Sequence, residues 1–214
     1  MPSPFRPGES DDDAYDNGTA IQRATNPLIM GDILGTQYQT GVRFKSLDIP
    51  PGSTINTAKV TFQAQLDRTT NTCNIQIKGQ DDDNPNTFST HADFIARART
   101  TQYVNWDDVP DWITNNDYDT PSLTDIIQAI INRPLWASGN SLVLFFANNA
   151  SSNNAERRGK SYDLSTTLCP NLIITWTPPS GPNNLKTING LAKANIKTIN
   201  GLQMTSVKSY NGLT

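Results

Sequence analysis

Few groups in this chain could do covalent chemistry. It holds one histidine, His91, and two cysteines, Cys73 and Cys169. No Gly-x-Ser-x-Gly turn presents a nucleophilic serine. His91 lies in the polar stretch STHADF, where a surface or turn position is expected rather than that of a general base. Carboxylates are plentiful, and a glycosidase needs only two, but any polar β protein carries Asp-rich turns. The expectation is a non-enzymatic protein. Cys73 and Cys169 can bond if their strands are neighbours; two buried thiols is the expected alternative. No metal-ligand spacing ties them to His91.

Two further groups of residues have binding chemistry. Asp81, Asp82 and Asp83, followed by Asn84, and the run Ser10, Asp11, Asp12 and Asp13 could supply oxygens to a structural Ca²⁺. Neither follows the EF-hand loop, and a solvated turn is the alternative. No other cofactor is expected. Tyr103, Trp106, Trp112 and Tyr118 sit among Asn105, Asp107, Asp108 and Asp111. Exposed rings beside acids and amides suit a host surface glycan, because sugar faces stack and hydroxyls pair. The competing reading is that these rings anchor a long loop.

Composition narrows the partners. The chain has 214 residues, 36% of them hydrophobic, with 13 Gly, 14 Pro and a net charge of −3. That mix favours short strands joined by polar turns. No cluster of cations forms a phosphate-binding face, so nucleic acid is not an expected partner. The longest apolar run, Leu142 to Ala147, is strand-sized, so no membrane helix is expected. The N-terminal stretch MPSPFRPGESDDDAYD lacks the apolar segment of a signal peptide.

The elements that must position these residues are mostly strands. Residues 1–18 read as an irregular lead-in, and residues 19–177 as a β-sandwich domain. Short strands are expected over 20–24 and 28–34. Period-two alternation marks 41–49, 58–66 and the set Cys73, Ile75 and Ile77, broken at Gly79. Residues 80–121 read as an ordered excursion over one end, with a helical turn at 94–98 and a short strand at 103–106. Residues 122–133 predict the one convincing helix, capped by Ser122 and stopped by Pro134, covering an edge or end of the sandwich. The apolar run 141–147 predicts a central strand, and 172–176 a last one. Residues 178–182, PPSGP, read as a linker.

Beyond the linker, residues 183–214 repeat: LKTINGLAKAN, IKTINGLQMTS, VKSYNGLT. Asn189-Gly190, Asn200-Gly201 and Asn211-Gly212 recur in phase, followed by Leu191, Leu202 and Leu213. An eleven-residue period can mean a right-handed supercoil. A glycine in every unit argues against helix, and Asn-Gly is the strongest short hairpin signal. Each unit therefore predicts a short strand and a tight turn. The apolar residues, namely Leu185 and Ile188, Ile196 and Ile199, then Val207 and Tyr210, are too few for a core of their own. An oligomerisation or docking element follows.

The ordered blocks GVRFKSLDIPPGSTINTAKVTFQAQ, CNIQIKGQDDDNPNTFS, VNWDDVPDW, LTDIIQAIINRPLWASGNSLVLFF and NLIITW resemble a family of carbohydrate-binding-module-like, jelly-roll β-sandwich modules. The resemblance covers roughly residues 10–177. Such modules occur on secreted bacterial polysaccharide-active proteins and in phage structural proteins. The KTINGL repeat resembles tails of phage virion proteins. The resemblance implies an all-β jelly-roll sandwich with one capping helix and a C-terminal β-repeat extension. It also implies a virion protein, such as a capsid decoration, neck or tail-fibre component, whose partners are other virion proteins or itself. The alternative is a carbohydrate-binding module of a surface adhesin. It carries no binding residue to a position here.

Overall fold

A computed structural model describes residues 3–68 and 71–179 and, beyond them, four two-residue strands. In chain order the elements are β1 (Ser3–Phe5), β2 (Asp13–Asp16), β3 (Ile21–Arg23), β4 (Leu28–Ile33), β5 (Thr36–Phe44), β6 (Thr54–Gln63) and β7 (Ile75–Gln80). Then come α1 (His91–Ala96), β8 (Arg99–Trp106), β9 (Asp117–Asp119), α2 (Thr124–Ile131), β10 (Leu142–Asn148), β11 (Glu156–Gly159) and β12 (Asn171–Thr177). Two sheets form a mostly β fold. The smaller has the order β1-β12-β6-β9; the larger runs β11-β4-β5-β10-β7-β8, with β2 and β3 branching from β5. All pairings among the described strands of these two sheets are antiparallel.

Alternation builds the core between the sheets. Ala58, Val60 and Phe62 of β6 and Leu172 and Ile174 of β12 meet Val42 and Phe44 of β5 and Leu142, Leu144 and Phe146 of β10. The continuous apolar run of β10 has the cause expected of a central strand. Its other side chains, Val143 and Phe145, enter a second cluster with Ala14, Phe88 and Phe94 on the far face of the same sheet. Both faces are covered, so both are apolar. The cover is α1 with the segment before it. Gly41 makes room: a Cβ there would lie 2.6 Å from Phe88 and 2.7 Å from Phe94.

The two sheets are stitched along one side. Ala64 bridges Gly159, the Gln65 amide donates to the Arg158 carbonyl at 2.8 Å, and the Lys160 amide donates to the Gln63 carbonyl at 2.9 Å.

Several expectations need correction. The lead-in 1–18 is structural, because β1 pairs with β12 and β2 pairs with both β3 and β5. Strands of three or four residues carry too little periodicity to announce themselves; their partners define them. Two α-helices are present among the described residues, not one. The longer spans Thr124–Ile131 and starts from Leu123, and Ser122, one residue earlier, accepts the Thr124 amide on its Oγ at 3.5 Å. It packs across both sheets with one face buried and the other wet, as a helix covering an edge of the sandwich should. Ile126, Ile127, Ile130 and Ile131 are buried in the main core, against β6 of one sheet and β7 and β8 of the other. Each such side chain contributes about 1.5–3 kcal/mol. Gly79 does not end β7; it marks a register shift between Lys78 and Gln80. Leu47 and Ile49 are buried but lie beyond the end of β5. The excursion does not sit over one end: residues 85–97 cover the outer face of the large sheet, and 106–112 enter the core.

Candidate functional site

The aromatic excursion is turned inward. Trp112 is fully buried and Trp106 is 6% exposed. Trp112 lies 6.0 Å from Phe62 and 6.5 Å from Trp106, and stacks on Tyr118 at 5.2 Å and 14°. The Tyr118 hydroxyl accepts the Ile113 amide at 2.8 Å. Of the four rings expected to face a glycan, only Tyr103 is well exposed, with the Lys78 ammonium 5.6 Å from its centroid. The glycan surface expected of Tyr103, Trp106, Trp112 and Tyr118 is therefore not formed. The loop is pinned from the other side as well, where buried Arg157 donates to the carbonyls of Pro110 at 2.8 Å and Val109 at 2.5 Å.

The acidic turns are also spoken for. Arg133 pairs with Asp81 and with Asp83, and the Asn84 amide donates to Asp82 at 3.0 Å. Asp12 takes Arg43 at 2.7 Å and the Gly8 amide at 2.8 Å, and Asp11 takes Arg23 at 2.8 Å. Among the described residues no group of three or more His, Cys, Asp or Glu converges as metal ligands. The Ca²⁺ expectation at Asp81, Asp82 and Asp83 is replaced by a carboxylate clamp on Arg133.

Cys73 and Cys169 are both free and buried, and burial raises both thiols above their ordinary range. Such thiols are poor nucleophiles. His91 opens α1, and its Nδ1 lies 2.5 Å from the buried Asp16 carboxylate. That pair ties the helix to β2 and was not legible from spacing.

No protein-family model matches this chain, and no curated protein matches it.

The repeat supplies one regularity. β13 (Thr187–Ile188) pairs with β14 (Leu191–Ala192), with Ile188 opposite Leu191. β15 (Thr198–Ile199) pairs with β16 (Leu202–Gln203), with Ile199 opposite Leu202. Two residues, an Asn-Gly in each case, separate the innermost partners. This matches a two-residue hairpin connection. The docking residues Leu185, Asn189, Gly190, Ile196, Asn200, Gly201, Val207, Tyr210, Asn211, Gly212 and Leu213 lie outside the described residues.

Sequence reasoning missed the outer face of the small sheet. Alternation points Thr57, Lys59, Thr61 and Gln63 of β6 away from the core, beside Asn171, Ile173 and Thr175 of β12 and Asp117 and Asp119 of β9. Lys59 reaches Asp119 at 2.5 Å, Thr61 donates to Asp119 at 2.6 Å, and Gln63 donates to Asp117 at 3.0 Å. Two depressions open here, of about 90 Å³ and 390 Å³. The smaller is lined by Arg6, Gln63, Asp117 and Asn171, and the buried Oδ1 of Asn171 has no hydrogen-bond partner. The period-two polar positions of 58–66 were the available signal.

One more buried group stands out. Asp13 is 1% exposed; its Oδ2 accepts the Tyr162 amide at 2.8 Å and its Oδ1 has no partner. Burial pushes its carboxyl up to about 7, with Asp163 and Asp12 adding to the rise. This acid sits in β2, walled in by protein, where no substrate can reach it.

Proposed function

We propose that the chain is a non-enzymatic structural or accessory protein of a phage virion, a jelly-roll β-sandwich that docks through its C-terminal repeat. The observation that carries this reading is the shared hairpin register of two successive repeat units. A phase-locked series of Asn-Gly hairpins with few apolar residues must pack on another surface. The sandwich is the scaffold, consistent with the family it resembles, and a capsid decoration, neck or tail-fibre position fits a module of this kind. Its partners are other virion proteins or further copies of itself; nucleic acid and membrane are not partners. The inert thiols and the enclosed Asp13 also favour a role without turnover. Full-length protein should co-sediment with phage particles or self-associate in light scattering. Replacing Leu191, Leu202 and Leu213 with Asp should abolish this while the fold persists. Undiminished association in that variant would sink the reading.

A second reading, a carbohydrate-binding module of a surface adhesin, is favoured by the small sheet's outer face. Its amides, hydroxyls and carboxylates, with Ile173 between them, offer hydrogen bonds to a polyol. Glycan binding there should fall on Gln63→Ala with Asn171→Ala. A glycan array without hits would remove it.

A further inference from the structure

Charge is divided along this chain. All 20 Asp and Glu lie in residues 1–182, with 13 of the 17 Lys and Arg. Residues 183–214 hold the other four cations, Lys186, Lys193, Lys197 and Lys208, and no acid. A cationic repeat is thus joined to an anionic sandwich, and opposite fields of this kind draw surfaces together.

One surface of the sandwich has the chemistry to receive a unit built of Lys, Ile and Leu. It lies at the end of the small sheet where β6 finishes and β9 and β12 begin. Residues 64–68 and 112–116 run side by side there. Arg68 bridges Trp112, the Ala64 amide donates to the Asn116 carbonyl, and the Ala64 carbonyl accepts the Asn115 amide. Leu66 and Ile113 lie on these two segments and are exposed. Leu168, also exposed, lines the depression of about 90 Å³ together with Gln63, Asp117 and Asn171. The buried Asn171 Oδ1 is an acceptor without a donor. Asp67 and Asp117 are exposed, and their carboxylates bond only the neutral groups of Thr114 and Gln63. The cations at this end are already engaged: Arg68 with Glu156, Lys160 with Gln63 and Asn115, and Arg6 with the Cys169 carbonyl.

We propose that this end of the sandwich is the docking surface for the C-terminal repeat of a second copy. The inference rests on docking by the repeat and adds where the repeat goes. The apolar residues of a hairpin cover Leu66, Ile113 and Leu168, and its lysines meet Asp67 and Asp117. Reach assigns the first hairpin to another copy. β12 ends with Thr177 opposite Thr54, at the start of β6, so the chain leaves the sandwich from the far end of the small sheet. From Thr54 to Leu66 is about 40 Å at the rise of a strand. The ten residues that lead from Thr177 to Thr187, three of them proline, span at most about 35 Å when fully extended. The hairpin that begins there falls short of the surface on its own copy. A contact between two unlike surfaces is heterologous, so it propagates head to tail and does not close as a two-fold dimer.

Full-length wild type should form oligomers that lengthen with concentration in sedimentation velocity and shorten as salt screens the charges. Leu66→Lys with Ile113→Lys spoils the receiving end and should weaken association by about tenfold or more, with an unchanged circular-dichroism spectrum because both side chains are exposed. Leu191→Asp with Leu202→Asp and Leu213→Asp spoils the repeat. Neither variant alone should oligomerise, but an equimolar mixture should give a one-to-one complex, since each supplies the half that the other lacks. A charge exchange leaves the apolar residues in place. Lys186→Glu, Lys193→Glu, Lys197→Glu and Lys208→Glu together should abolish association, and adding Asp67→Lys and Asp117→Lys should restore part of it. Oligomers that persist in the Leu66→Lys, Ile113→Lys variant but vanish in the repeat variant overturn this placement and leave docking by the repeat standing. So does a mixture that stays monomeric, or a wild type that is monomeric at every concentration yet co-sediments with particles. Association undiminished in the repeat variant removes both readings at once.

Discussion

The aromatic excursion and the C-terminal repeat look alike as strings of residues. Both are polar stretches in which a few apolar side chains are spaced through Asn, Asp, Thr or Lys. They resolve in opposite ways. In the excursion Trp106, Trp112 and Val109 go into the core between the sheets, and the Arg157 guanidinium holds the loop by the carbonyls of Val109 and Pro110. In the repeat, pairing is local: Ile188 to Leu191 and Ile199 to Leu202. The difference lies in what is within reach. The loop leaving β8 borders the core between the two sheets, whereas a strand-turn unit finds its nearest partner three residues away. Aromatic residues among acids therefore signal a binding surface only when the neighbouring core is already full.

The largest expected effect breaks the excursion. Trp112→Ala removes a ring that touches Phe62, Trp106 and Tyr118 in a dry site. The loss should be about 3–5 kcal/mol, read from urea unfolding. Were the ring a surface platform, the change would be within about 0.5 kcal/mol.

Asp13 offers a comparison by pH. The folded state holds this proton up to about pH 7, while an unfolded aspartate releases it near 3.8. Between those values the unfolded chain binds fewer protons, so the contribution is full below about pH 4 and is lost as pH rises to about 7. Asp13→Asn should flatten that slope, gaining on the order of 2–4 kcal/mol over wild type at pH 8 relative to pH 4. Thermal unfolding across pH checks it; parallel curves would show that Asp13 is solvated.

The sandwich was legible where one physical cause acts alone. β6 alternates because one face is buried and the other wet, and β10 is apolar throughout because both faces are covered. The hairpins were legible because Asn-Gly specifies a turn by itself. β1 and β11 were hidden, since each is short and depends on a partner more than a hundred residues away, and β2 was hidden because four residues carry too little alternation. The small sheet's polar face was visible as alternation but not as a face, because β6, β9 and β12 are brought together only by folding. The burial of Trp106 and Trp112 was hidden for the same reason: composition reports neighbours in sequence, while direction depends on which core has room.

A smaller effect tests the acidic turn. Arg133 holds Asp81 and Asp83 at partly exposed positions. Arg133→Ala should cost about 1 kcal/mol, discounted for solvent. Adding Ca²⁺ or a chelator to the wild type should leave the melting temperature unchanged. A rise with Ca²⁺ would restore the metal reading and make this turn, unlike the excursion, a site.

The smallest effect on stability sharpens the comparison most. A two-residue type I′ turn requires positive φ at both positions, which glycine tolerates and alanine does not. Gly190→Ala with Gly201→Ala should therefore weaken both hairpins. Because each hairpin pairs within itself, the sandwich should keep its unfolding free energy in urea within about 0.5 kcal/mol. Association through the repeat should nevertheless fall. If the unfolding free energy dropped by several kcal/mol instead, the repeat would be part of the sandwich core. The two regions would then differ in sequence position only, and the case for docking would fail with the contrast that supports it.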